Sequence, residues 1–153
     1  MDGPTVSSSL CRKLINSTSA PPAIGPYNQA VMVDRTLYIS GQLGMKKTGA
    51  MVEGGTLAQA EQALRNIGEI LEAAGGGYKD IIKTTVLMKD IKEFTEVNKI
   101  YAKFFNHHQP ARAAFQVAAL PRGGNIEIEA VALIGKYNPA SHPTFPTYLL
   151  RSC

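Results

Sequence analysis

The chain has 153 residues, 44% apolar and 18% charged, with 14 glycines and 9 prolines, a balance that suits one domain with a buried core and excludes both a disordered chain and a second domain. Its net charge of +4 comes from 16 Lys and Arg against 12 Asp and Glu; the densest basic stretch, Lys79 to Lys103, is interleaved with Asp80, Asp90, Glu93 and Glu96 and reads as a solvated surface rather than a nucleic-acid groove. No apolar run approaches the ~20 residues that span a bilayer, so no membrane role is expected.

Residues 1–13 are expected to form an N-terminal tail, 14–137 a single domain, and 138–153 a Pro-containing C-terminal tail. Cys11 and Cys153 lie in these flanks and cannot staple the core, so free thiols are expected. The N-terminus has no hydrophobic signal core, which points to the cytoplasm. Its Ser, Arg and Lys content makes a mitochondrial presequence the alternative, opposed by Asp2 and the Gly3–Pro4 pair.

Within the domain, AVMVDRTLYIS (30–40) predicts two short strands around Asp34 and Arg35. TLAQAEQALRNIGEILEAAGG predicts a helix with Leu57, Ala60, Leu64, Ile67, Leu71 and Ala74 on one face and Gln59, Glu61, Gln62 and Arg65 on the other. Thr56 and Gln59 have capping-box spacing, and Gly75 supplies the stop. DIIKTTVLMKD (80–90) predicts a strand with Ile82, Thr84, Val86 and Met88 on one face. KEFTEVNKIYAKFFN predicts a second helix, capped by Asp90 and Glu93, with an apolar stripe of Phe94, Val97, Tyr101 and Phe104. ARAAFQVAAL and NIEIEAVALIG then read as two strands joined in a hairpin by PRGG. Two helices on one face of a mixed sheet of five or six strands make an α+β fold, and its open sheet face, still carrying Val, Ile, Phe and Ala, implies a homo-oligomer.

PARAAFQVAALP (110–121) sets a guanidinium at the start of an apolar strand. Arg112 either pairs with a carboxylate to fasten the strand or presents its planar fork to the carboxylate of a ligand, which the surrounding alanines leave room for. Glu127 and Glu129 alternate with Ile126 and Ile128 and share one face of their strand; one of them, sheltered near a ligand, can hold a water or move a proton, and spacing does not choose between them. In a PRGG hairpin Glu127 faces about residue 119, leaving Arg112 roughly 20 Å further along, so one small ligand touching both requires a site between subunits. IGPYNQA sets Tyr27 after a rigid Gly-Pro turn, as a cleft residue or a packing one. SGQLG ends a strand at Ser40 and Gly41, where backbone can approach a ligand closely.

His107 and His108 are adjacent and lack neighbouring ligands at metal spacing, so no metal is assigned. No GxGxxG follows a strand, no Walker pattern occurs, and no serine or cysteine sits in a nucleophile motif, so neither a nucleotide cofactor nor covalent catalysis is implied.

IGPYNQA, LYISGQLG, the helix ending EAAGG, KTTVLMKDI, FTEVNKIYAKFF, and above all PARAAFQVAALP followed by IEIEAVAL, together resemble the RidA (YjgF/YER057c/UK114) family, in its animal-type imino-acid deaminase branch, over about residues 12–137. The resemblance implies a chorismate-mutase-like α+β fold, a homotrimer with three intersubunit clefts, and cofactor-free hydrolysis of 2-imino acids such as 2-iminobutanoate and 2-iminopropanoate to 2-keto acids and ammonia. It implies that Arg112 binds the substrate carboxylate, that Glu127 rather than Glu129 positions the attacking water, and that Tyr27, Ser40, Gly41 and Asn98 line the pocket. Ala114 stands where many bacterial members carry a cysteine, so only its backbone amide is expected to serve. The family's other associations supply the alternatives: an endoribonuclease or translation inhibitor with an RNA partner, or a chaperone-like, ligand-binding protein.

Overall fold

Asp34, in the left-handed region at φ 52°, turns β2 (Ala30–Val33) back into β3 (Thr36–Leu43), the hairpin predicted from the β-branched run. These strands belong to one six-stranded sheet in the computed structural model, which describes residues 9–136. The other strands are β1 (Arg12–Ile15), β4 (Ile81–Met88), β5 (Ala111–Gln116) and β6 (Ile126–Leu133), in the spatial order β1-β2-β3-β6-β4-β5. β1 arises in a stretch too polar to read as a strand; it pairs with β2 at the sheet edge and leaves most of its side chains in water. The C-terminal tail lies outside the described residues.

Helix α1 (Gly55–Ala73) and helix α2 (Phe94–Phe104) pack together on one side of the sheet. α1 buries Ala60, Ala63, Leu64, Ile67, Ile70 and Leu71 against Leu37, Ile39, Ile126 and Ile128, and each fully buried large aliphatic is worth roughly 1.5–3 kcal/mol. Its end is as expected: Gly75 at φ 81° donates its N–H to the Glu72 carbonyl and Gly76 reaches back to Leu71, a paired closure that only a residue tolerant of the left-handed region permits cheaply.

Its start is not. Gly54 occupies the N-cap with no side-chain bond, and the predicted capping box is absent because both of its residues are used elsewhere: the Thr56 hydroxyl bonds to Glu93, and Gln59 Oε1 accepts the Asn125 N–H at 2.7 Å. Gln59 is therefore buried rather than on the wet face, as is Asn66, whose amide donates to the carbonyls of Leu43 and Met45. Leu57, expected inside, is partly exposed. Asp90 caps the short turn before α2 by accepting the Lys92 N–H, while Glu93, spent on Thr56, leaves the N-cap of α2 without a side-chain bond.

The last two strands do not form a hairpin. β4, α2 and β5 make a crossover unit in which β5 lies parallel to β4 on the outer edge, while Pro121–Gly123 forms a single turn and the chain crosses β4 to enter the gap between β3 and β4. There β6 pairs antiparallel with both neighbours. The physical reason is burial: Ile126, Ile128, Ala130 and Ala132 are all inside, which requires a central strand, whereas β5 buries none of its residues fully and suits an edge. The face assignment in β4 holds for Thr84, Val86 and Met88. A register slip between Ile81 and Lys83 turns Ile82 outward and Ile81 inward.

Candidate active site

The register fixes the direction of Arg112. Its Cα partner on β4 is Thr84, wholly buried on the helix side, so the arginine also leaves the sheet towards α2. There its Cζ sits 4.6 Å from the centre of the Tyr101 ring and 5.3 Å from that of Phe94. Among the described residues no carboxylate pairs with it and no hydrogen bond engages its guanidinium, so it fastens the strand to none of them by an ion pair. Cation–π contact uses the faces of a guanidinium and leaves the N–H donors at its rim free for an oxyanion.

Phe94, Asn98 and Tyr101 follow one another at four and three residues on a single stripe of α2. Asn98 Oδ1 is a buried acceptor without a hydrogen-bond partner, a condition costing about 1–3 kcal/mol that a donor from a ligand or a second chain relieves. Ala114 is half-buried on the same face as Arg112, two residues on. Asn98, Arg112 and Ala114 thus form one group, at the β5 edge.

The other group is built on a bulge. SGQLG does not end a strand: β3 continues to Leu43, and its register against β6 slips between Ile39 and Gln42, leaving Ser40 and Gly41 outside the regular ladder. The Glu127 carboxylate lies over Gly41 so closely that a Cβ there would fall on it. Ser40 donates its hydroxyl to the Asn28 carbonyl at 2.7 Å and its N–H to the Gln29 carbonyl at 3.0 Å. Buried Gln29 ties the preceding loop down through Ser17 and Pro21. Tyr27, adjoining this anchor, is exposed, and its hydroxyl accepts the Ile24 N–H.

Glu127 and Glu129 both face away from the helices, Glu129 more exposed than Glu127. Burial pushes the Glu127 carboxyl above its ordinary value, and the neighbouring Glu129 adds to the rise. Because the atom that a Gly41 side chain would strike is the end of a flexible glutamate, Gly41→Ala is expected to swing that carboxylate aside and lower turnover by ~10-fold or more while leaving the thermal midpoint nearly unchanged. Steady-state kinetics alongside a melting curve check this; unchanged turnover would mean that the position of Glu127 over the bulge is irrelevant.

Leu87 is level with Glu127 on one side and with Phe115 on the other, so Arg112 lies three residues along and two strands across from Glu127. At ~3.3 Å per residue and ~4.8 Å per strand the backbones are about 14 Å apart, not the roughly 20 Å that a hairpin would have given. The two side chains also leave opposite faces of the sheet. Within one chain Arg112 and Glu127 therefore do not meet, and two surface grooves of the chain, one beside Thr56, Lys89 and Glu93 and one beside Arg35, Gly76 and Lys136, contain neither of them. The face bearing Glu127 also exposes Leu14, Tyr38, Phe115 and Leu133, an apolar surface of the kind monomers rarely leave in water.

The apolar stripe of α2 places Phe94 and Tyr101 in core packing, and nothing in its spacing shows their contact with Arg112. The available signal was polar: Asn98 interrupts that stripe at helical spacing.

Residues 17–134 match the family described as endoribonuclease L-PSP. The chain is 57% identical over 135 residues to the 2-iminobutanoate/2-iminopropanoate deaminase of Homo sapiens, covering 88% of this chain and 98% of that protein. It is 47% identical to the RutC family protein UK114 of Drosophila melanogaster, covering 84% of this chain and 94% of the other. Among solved structures, RidA from an Antarctic Psychrobacter superposes with a TM-score of 0.77 at 46% identity, over 80% of this chain and 99% of that one. Escherichia coli TdcF with bound serine superposes with a TM-score of 0.76 at 38% identity over the same shares.

Proposed function

Because this chain belongs to the endoribonuclease L-PSP family, the family of RidA, we propose that it is a deaminase that hydrolyses reactive 2-imino acids, such as 2-iminobutanoate and 2-iminopropanoate, to 2-keto acids and ammonia, in sites shared between subunits of a homotrimer. One observation supports the reading: an uncommitted guanidinium and a carboxyl of raised pKa stand on opposite faces of one sheet, an arrangement that a neighbouring chain can complete. Arg112 of one subunit takes the substrate carboxylate by its fork. Glu127 of the next holds a water against the electrophilic C=N carbon, and its raised pKa suits it to accept and return a proton.

The atoms balance with water alone. The water oxygen bonds to the imine carbon, the C=N pair moves to nitrogen, and Glu127 takes a proton from the water. Glu127 then returns a proton to nitrogen, the C–N bond breaks, and ammonia leaves as the hydroxyl passes its proton through the freed Glu127 carboxylate to solvent and becomes the keto oxygen. The iminium carbon is electrophilic at the outset, so these two groups suffice. An RNA substrate is the poorer fit, since Glu127 and Glu129 present two carboxyls on one face to a polyanion.

The test has two stages. The protein is expected to accelerate ammonia release from imines generated by a pyridoxal-phosphate-dependent dehydratase, and no acceleration would end the deaminase reading. Arg112→Ala and Glu127→Gln chains, each inactive alone, are then unfolded, mixed in equal amounts and refolded. With random assortment, about one interface in four pairs an intact Arg112 with an intact Glu127, so about a quarter of wild-type activity is expected. No recovery would place both residues in one chain's site.

A further inference from the structure

We propose that Tyr101, locked by Thr84 and seconded by Phe94, is a positioning residue that holds the guanidinium of Arg112 in the orientation the substrate carboxylate requires. The inference rests on the carboxylate-clamp reading of Arg112 and adds the device that aims it.

An arginine on an edge strand has many rotamers, and it loses their entropy whenever it grips a ligand. Here two rings of one helix restrict it beforehand, at 4.6 Å and 5.3 Å. A carboxylate partner would restrict it equally well but would neutralise the charge and occupy the fork. Aromatic faces hold the cation and consume none of its N–H donors.

The rings themselves are set. The Tyr101 hydroxyl and Thr84 Oγ are 2.7 Å apart, Thr84 is wholly buried, and Thr84 is also the β4 partner of Arg112. The hydrogen bond thus fixes the platform to the strand from which its cargo's position is measured. Phe105 backs the Tyr101 ring at 4.4 Å between centroids. Burial raises the Tyr101 pKa, against the smaller opposing effects of the Thr84 bond and Arg112, so the ring stays a neutral phenol and does not compete with the substrate as an anion.

The probe is 2-oxobutanoate, a 2-keto acid product carrying the same carboxylate, titrated calorimetrically into the full-length protein alongside kcat and KM for the imino acid. A cation–π contact corresponds to roughly 3- to 30-fold in an equilibrium constant. Tyr101→Leu is therefore expected to weaken 2-oxobutanoate and raise KM by ~10-fold, with kcat changed far less. Tyr101→Phe and Thr84→Val, which keep the ring but release its lock, are expected to give a smaller loss of ~3-fold. Phe104→Leu removes an aromatic of the same helix that packs on Tyr78 instead, and it should leave binding unchanged.

Should Tyr101→Leu fail to fold, Phe94→Leu carries the test, with a loss of ~3-fold expected. The inference is overturned if the folded ring-removing variant binds 2-oxobutanoate as wild type does while Arg112→Ala has lost it, or if Phe104→Leu weakens binding as much. If Arg112→Ala itself binds normally, the carboxylate clamp falls and the positioning role falls with it.

Discussion

Replacing Arg112 with alanine is expected to lower kcat/KM for 2-imino acids by ~10²–10³-fold, from the loss of two charge-assisted hydrogen bonds worth about 1.5–3 kcal/mol each, partly offset by a water that takes their place. Stability should change little, because no ion pair among the described residues is broken and the side chain lies on a half-buried edge. Arg112→Lys is expected to recover little of the loss. An ammonium retains the charge but cannot present a fork, and it is a poorer partner for the rings of Phe94 and Tyr101. Ammonia release measured over a range of dehydratase-generated imine concentrations decides the matter: an alanine variant within fivefold of wild type would remove Arg112 from the site.

Glu127→Gln is the second large effect, and it should fall on kcat rather than KM. Glutamine keeps the shape and can still touch a water but cannot accept its proton, so ~10²–10⁴-fold of rate is at stake. The wild-type kcat/KM should decline on the acid side as Glu127 becomes protonated, with the limb lying above its ordinary 4.5 because burial and Glu129 raise the folded-state pKa. Glu129→Gln removes the second cause and leaves burial, so the limb is expected to move down but not back to 4.5. For stability the sign is opposite to that of a salt-bridged carboxylate. A folded pKa above the unfolded one imposes a cost that is complete above the raised pKa and absent well below 4.5, so Glu127→Gln should raise the melting temperature at neutral pH and leave it unchanged in acid. A pH limb at or below 4.5 would contradict the burial of this carboxyl.

Much of this was legible where a residue's role is local. Gly75 closes α1 as its position predicts, and alternation alone placed Glu127 and Glu129 on the face opposite Ile126 and Ile128. The hairpin failed because strand adjacency is not local: PRGG is a plausible turn, and only the burial demand of Ile126 through Ala132 sends β6 to the middle of the sheet. Thr56 and Gln59 failed similarly, since capping-box spacing cannot reveal that Glu93 and the Asn125 amide lie within reach. A PRGG hairpin would set Arg112 and Glu127 too far apart along one chain to share a small ligand, but β5 and β6 are not hairpin partners. The true register brings the two residues nearer but sets Arg112 and Glu127 on opposite faces, so they still do not meet within one chain.

β6, the last strand among the described residues, occupies the centre of the sheet, and this bears on the order of events at synthesis. Until β6 emerges, β3 and β4 have no hydrogen-bonding partner between them, and the helices already made have only the two separated halves of a floor. The nascent protein therefore waits for β6 before its core can close, and a chain ending short of Ile126 would present two unpaired strand edges to its neighbours, the condition from which aggregates grow.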